Sequence, residues 1–187
     1  MTKEKIAVKP FLFPMPIVIV GTKIDNKPNY MTASFVGIMN YDPLYIAISV
    51  GPGHLTNQGI KKNKTFTINV PSAELLVKTD YVGMSDKPDK KADVFTTFYG
   101  DLKTTPLILE APICAECELV KKLDLGNKVY IGQVKGLYAE EDVLTDGGID
   151  IDKVDPVMFS LTNNRYYALG DAKGTAWTLG KLYNPET

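Results

Sequence analysis

The stretch Leu44–Asn57 reads LYIAISVGPGHLTN, an apolar run, a glycine-rich turn and a helix start in succession. Leu44–Val50 is almost continuously apolar, the pattern of a strand buried on both faces. Gly51-Pro52-Gly53 stops that strand, because a Gly-Pro-Gly turn cannot continue it. Leu55–Lys62 then reads as a short helix. A strand that ends in glycines at a helix start gathers several unpartnered backbone N–H groups, and the helix dipole draws an anion toward them. Thr56 adds a hydroxyl and His54 a ring N–H, so the segment has the makings of a phosphate site without an arginine. A glycine turn closed by a threonine cap explains the same residues, and this stretch alone leaves both open. No G-K-[ST] follows and the G-x-G-x-x-G spacing is missing, so neither a Walker loop nor a dinucleotide fingerprint is present.

Upstream, Ile17–Thr22 (IVIVGT) is a β-branched run that leads to a turn through Asp25–Asn29. Tyr30–Val36 returns as the second strand of a hairpin. On that strand Thr32 and Ser34 share one face, while Met31 and Ala33 take the other. Such a hydroxyl pair is either a ligand contact or ordinary cross-strand hydrogen bonding. Thr65–Val70 alternates as a further strand, and Ser72 stands as N-cap before a helix over Ala73–Gly83. Ser85–Asp93 is a charged loop; Ile113–Lys122, Lys128–Tyr138, Val157–Leu161 and Tyr166–Leu169 supply more strands. Short strands at this spacing, without regular βαβ alternation, predict a mainly β chain: a β-barrel or sandwich with short helices. No Ser- or Gly-rich linker divides the 187 residues, so one domain over 1–187 is expected.

Composition narrows the chemistry. The 21 basic and 22 acidic residues give a net charge of -1, which argues against a nucleic-acid partner. Arg165 is the only arginine and His54 the only histidine, so neither a multi-His metal site nor an arginine clamp can be built within one chain. Met1–Pro10 lacks the apolar stretch of a secretory signal. The run Ile17–Val20 falls far short of the ~20 residues that span a bilayer. A cytoplasmic protein without a membrane partner is expected. Cys114 and Cys117 form a C-x-x-C, but on a strand residues three apart point to opposite faces. Two structural thiols are therefore expected, rather than a dithiol.

Taken together, Asn29 with Met31-Thr32-Ala33-Ser34, the strand ending at Ser49-Val50, and G-P-G-H-x-T-N resemble the flavin reductase-like family. These are FMN-binding split barrels that include the flavoredoxins. The resemblance runs on through Phe66-x-x-Asn69-Val70-Pro71-Ser72, Asp80-Tyr81-Val82-Gly83-Met84-Ser85 and Asp89-Lys90. It continues through Ala111-Pro112-Ile113, Glu116-Cys117 and Tyr166-Tyr167-Ala168-Leu169-Gly170, and so covers most of the chain from Pro14.

What the resemblance implies is FMN held near a homodimer interface. Thr32, Ser34, His54 and Thr56 match phosphate positions, and many family members carry Arg where this chain has His54. Met31–Ala33 and Ser49–Gly51, with Val50 between, would pass along the isoalloxazine. Asn29, Asn57 and Ser85 belong to the same matching segments and join the cofactor-binding candidates. Lys90 would approach from the charged loop. Tyr166 would reach the flavin or substrate pocket, unless Tyr166 and Tyr167 simply place one ring in the core and one at the surface. No catalytic side chain and no metal are implied, since the flavin carries the reaction. The expected activity is an oxidoreductase in which NAD(P)H reduces FMN and electrons pass to an acceptor. The alternative is a flavoredoxin-type electron carrier reduced by a redox protein partner. A non-catalytic barrel that stacks single-stranded nucleic acid on its tyrosines is a third possibility, opposed by the charge balance. Trp177 is a candidate interface anchor.

Overall fold

A computed structural model describes residues 1–84 and 92–183. Ser85, Lys90 and most of the charged loop lie outside the described residues. The strands are β1 (Met15–Pro16), β2 (Val18–Ile24), β3 (Lys27–Ala33), β4 (Val36–Asn40), β5 (Tyr45–Val50) and β6 (Thr65–Val70) in the first half. The second half supplies β7 (Thr97–Phe98), β8 (Leu107–Ile108), β9 (Ile113–Leu125), β10 (Asn127–Ala139), β11 (Leu144–Thr145), β12 (Gly148–Ile149), β13 (Val157–Ser160) and β14 (Arg165–Ala168). Among the described residues three short α-helices interrupt them: α1 (Thr56–Asn63), α2 (Leu76–Met84) and α3 (Ile151–Val154). The mainly β architecture with short helices is the expected one.

Seven antiparallel strands form the main sheet in the order β3-β2-β6-β9-β10-β5-β4. Both faces of its first half are covered. Val18 and Val20 enter one apolar cluster with Met31, Ala33, Ile48, Val50, Phe66 and Tyr130. Ile19 between them enters another with Tyr30, Leu75, Val82, Phe95 and Leu107. Alternation on a pleated strand produces this division. Cys114 lies in the second cluster and Cys117 in the first, as their three-residue spacing on β9 requires. Burial pushes both thiols up to about 12. The three strands β1, β13 and β14 make a separate small sheet in the order β1-β13-β14.

Helix α1 lies close on β2 because Gly59 has no side chain. A Cβ there would overlap the Thr22 side chain and sit 2.8 Å from the Lys23 carbonyl. Gly83 does the same for α2: a Cβ would come within 3.1 Å of Thr32 Cβ. Both helices are thereby seated on the β2–β3 hairpin, one at each end of the site described below.

Several local expectations need correction. The hairpin turn is tighter than Asp25–Asn29: Asp25 and Asn26 both take positive φ (49° and 63°), and β3 already begins at Lys27. Two such residues fit the primed hairpin turn that Asp and Asn tolerate. The strand predicted over Tyr30–Val36 breaks at Ser34-Phe35, where the chain leaves β2 and β4 starts pairing with β5. Leu44–Val50 is not buried on both faces; only Ile48 and Val50 are fully buried, because its neighbour β4 is the sheet edge. The helix expected over Ala73–Gly83 opens with a 3-10 turn, Ala73–Leu75. Ser72 occupies the N-cap position there without a capping side-chain hydrogen bond.

Candidate functional site

The turn after β5 is held from below by one residue. Asn57 Nδ2 donates to the carbonyls of Gly51 (2.7 Å) and His54 (3.0 Å), and its Oδ1 accepts from the Tyr130 hydroxyl at 2.9 Å. The amide thus spends both N–H groups inside the protein. A parallel support runs from Asn29, whose Nδ2 donates to Thr56 Oγ1 at 3.1 Å, with both residues buried. Asn29, Thr56 and Asn57 therefore shape the turn from behind. Val50 also points away, into the apolar cluster.

In front of the turn is a cleft of about 250 Å³ lined by Met31–Phe35, Ser49, Gly51, His54, Asn127 and Leu161. Met31 and Ala33 bury their side chains in the core, so the cleft meets mainly their backbone. Thr32 Oγ1 donates to the Thr79 carbonyl of α2, which ties β3 to that helix. Ser34 and the His54 ring have no side-chain partner among the described residues. Nor does any acceptor among those residues take the N–H groups of Gly53, Leu55 and Thr56. Donors thus outnumber acceptors around the turn, and among the described residues no carboxylate lines this cleft. Asn127, just after the β9–β10 turn at Gly126, donates through Nδ2 to Ser49 Oγ at 3.2 Å.

A second cleft of about 260 Å³ adjoins the first and shares Thr32 and Ser34 with it. Its other walls are Ile17 and Phe159, Tyr166 from β14, and Asp80, Gly83 and Met84 from α2. Tyr166 donates its hydroxyl to Asp80 Oδ1 at 2.6 Å. Burial first, and the Asp80 carboxylate second, push this phenol up to about 12. Tyr166 is half-buried and Tyr167 is exposed, so the expected division between the two rings is only partial.

Of the sequence candidates, Met31, Thr32, Ala33, Ser34, Ser49, Gly51 and His54 thus meet at one cleft, and Tyr166 at its neighbour. Phe35, Asn127, Leu161 and Asp80 were missed. Asn127 is brought to Ser49 only by the register of β10 on β5. Asp80 is brought to Tyr166 across 86 residues of chain. Neither approach leaves a mark in local sequence.

Two larger grooves, of about 490 and 600 Å³, run along the N-terminal arm, against β13 and β14 in one case and toward β4 in the other. Their walls are chiefly apolar. Nearby, Phe11, Leu12 and Phe13 of the arm and Ile38 and Met39 of the edge strand are exposed, as is Trp177 near the other terminus. Among the described residues, no helix is long and apolar enough to cross a membrane.

A mainly β split barrel with a donor-rich cleft at a strand–turn–helix junction is the class that this fold and site define. The chain belongs to the flavin reductase like domain family, whose model matches residues 11–168. In structure it is similar to a flavoredoxin from Methanosarcina acetivorans, at TM-score 0.94 and 35% identity over 97% of this chain and 98% of that one. It is similar also to the flavoredoxin of Desulfovibrio vulgaris (Miyazaki F), at TM-score 0.88 and 29% identity over 96% and 100%. An FMN-binding domain of a flavin reductases-like enzyme from Shewanella baltica OS155 shares the fold at TM-score 0.75 and 20% identity, over 86% and 88%.

Proposed function

We propose that the protein is an FMN-binding redox protein of the flavoredoxin and flavin reductase type, with FMN in the paired clefts. The observation that carries this is the convergence of Thr32, Ser34, Ser49, Gly51 and His54 on one donor-rich cleft, in a chain of this family. The residues present suit the group. Together the two clefts reach the volume usual for a cofactor site, and their polar groups are few and convergent. The free N–H groups of Gly53, Leu55 and Thr56, the Ser34 hydroxyl and the His54 ring would hold the phosphate. A Cβ on Gly51 would lie 3.1 Å from His54 Cδ2, so glycine there keeps the imidazole against the turn. Ser49, oriented by Asn127, and the backbone of Met31–Ala33 would line the ring, with Tyr166 closing the far side. Thr56 contributes its N–H, and Asn29 and Asn57 act as positioning residues. Ser85 and Lys90 stay candidates outside the described residues.

Bound FMN supplies the redox chemistry, taking electrons from a donor and passing them to an acceptor. The chain's own part is to bind, orient and desolvate. NAD(P)H is the donor in the reductase reading. The likeness to two flavoredoxins favours the second reading, an electron carrier reduced by a protein partner. A homodimer is part of the proposal: β4 is an edge strand with Ile38 and Met39 exposed, and Phe11, Leu12 and Phe13 of the arm and Trp177 are exposed too. The test is an absorbance spectrum of the purified protein after incubation with FMN, followed by anaerobic titration with NADH and NADPH. A flavin spectrum is expected. Bleaching by a nicotinamide supports the reductase, and its absence, with bleaching by dithionite, supports the carrier. Protein that takes up no FMN overturns both.

A further inference from the structure

The net charge of -1 is a cancellation between two ends of the molecule. Beyond the far end of β10, segment 140–155 holds seven acidic residues and one lysine. At the near end, the β9–β10 ribbon and the last turn of α1 bring together Lys61, Lys62, Lys64, Lys121 and Lys122, all exposed. Two contacts place them side by side. The Tyr130 hydroxyl of β10 donates to Asn57 in the first turn of α1, and the Leu119 N–H of β9 donates to the Lys64 carbonyl at its end, at 2.8 Å. The helix therefore lies along the ribbon, on the face that Lys122 shares with its cross-strand partner Tyr130. Lys121 takes the other face. The acids of the same ribbon are already paired, Glu118 with Lys135 at 3.3 Å and Asp124 with Lys128 at 2.5 Å. Among the described residues Lys61, Lys62, Lys64 and Lys121 pair with no carboxylate. Segments 85–91 and 184–187, outside those residues, together carry three lysines and three acids and so add no net side-chain charge.

This end is also a free strand edge. The pairing of β6 on β9 stops at Thr65 and Glu118, and beyond Leu119 no strand covers β9 on that side. Val120, Leu123 and Leu125 are 54%, 36% and 75% exposed there. Lysines guard edge strands against pairing, and cations suit a helix C-terminus. Neither effect accounts for leucines left in water among them. An apolar centre within a charged rim is the make-up of a protein–protein contact. Leu125 pairs with Asn127, which lines the first cleft, and Lys121 stands about 13 Å back along the strand.

We infer that this end of the molecule is the docking surface for an electron-carrying protein with a carboxylate-rich face. The inference rests on the carrier reading above for its redox meaning. Charge complementarity selects the occupant: the lysines attract carboxylates and the acidic far end repels them, so an acidic partner is steered to the end beside the cleft. A second copy in a two-fold contact would set the lysines against themselves. Single-stranded nucleic acid needs aromatic faces for stacking, and stretches 61–64 and 120–125 contain none. On docking, electrons pass singly from the partner's reduced centre, which is oxidised, to the flavin, which takes its protons from solvent.

Calorimetric titration of the FMN-loaded protein with oxidised plant-type ferredoxin, an acidic electron carrier, tests this without any turnover. Wild-type affinity should fall at least about tenfold between roughly 20 and 200 mM NaCl. The double variant Lys62→Glu with Lys121→Glu should bind at least about tenfold more weakly at the lower salt. Lys62→Gln with Lys121→Gln should lie between the two, and it carries the test if the Glu pair disturbs the fold. Lys3→Glu with Lys5→Glu changes the net charge equally and should stay within about twofold of wild type. No binding at low salt, an equal loss in the Lys3 and Lys5 variant, or tighter binding of oligothymidine than of ferredoxin overturns the inference. So does wild-type self-association in sedimentation velocity that the Lys62 and Lys121 variant abolishes. FMN uptake, read separately from the flavin spectrum, decides the carrier reading; if it fails, the same titration of flavin-free protein still tests the lysine surface.

Discussion

Replacing Asn57 with alanine should loosen the turn on which the proposed phosphate site depends. The side chain makes three hydrogen bonds, at 2.7, 3.0 and 2.9 Å, to two turn carbonyls and to the hydroxyl of Tyr130. Each such bond contributes about 0.5–1.5 kcal/mol net, and Tyr130, only 1% exposed, would lose its acceptor. The expected loss is about 3 kcal/mol, read as a lower urea midpoint at unchanged slope. FMN affinity, followed by flavin fluorescence quenching, should fall at least about tenfold, because the free N–H groups lose their common orientation. Tyr130→Phe removes one of the three bonds and should cost about 1 kcal/mol while leaving the two turn-closing bonds intact. Its FMN affinity should therefore stay near wild type. An Asn57→Ala protein within about 0.5 kcal/mol of wild type and with undiminished FMN binding would refute the assignment of Asn57 as the clamp.

Other perturbations probe the fold that carries the site. Glu116 is fully buried and accepts from the N–H groups of Asp101 (2.9 Å) and Leu102 (3.1 Å), from Thr105 Oγ1 (2.8 Å) and from the Tyr138 hydroxyl (3.0 Å). Glu116→Ala should cost about 3–5 kcal/mol in urea unfolding, since four donors lose their acceptor. Gly59→Ala drives a Cβ into Thr22 and the Lys23 carbonyl and should destabilise by about 1–3 kcal/mol, despite the better helix propensity of alanine. Burial raises both thiols to about 12, so the unfolded chain releases their protons first as pH climbs. Stability should therefore fall from about pH 9 upward by as much as about 1.4 kcal/mol per unit for each thiol, and a flat profile in alkaline urea titrations would contradict that. Trp177→Ala should weaken self-association in sedimentation velocity if the exposed indole anchors a dimer.

Legibility in the sequence followed the range of the interactions. Strand β6 was legible to the residue, Thr65–Val70, because alternation is a local property. The donor-rich turn was legible from Gly51-Pro52-Gly53-His54, since glycines, proline and a helix start determine it within a few residues. The break at Ser34-Phe35 was hidden, because no Gly or Pro marks the point where one strand trades β2 for β5 as its neighbour. Asn29, Thr56 and Asn57 lie in the right segments, but their side chains support the turn from behind and are satisfied inside the protein. Hydrogen bonding across the fold decides that, not spacing. Asn127 and Asp80 escaped for the same reason: each reaches the site through pairing or packing with a distant element.

On the proposed reading, the turn after β5 holds the phosphate of a flavin whose ring lies along β3 and β5. Parallel titrations of the protein with FMN and with riboflavin, which lacks the phosphate, test it most directly. FMN should bind, with riboflavin at least about tenfold weaker, a difference equivalent to one to two good charge-assisted hydrogen bonds. Equal affinities for the two, or no binding of FMN, would contradict it.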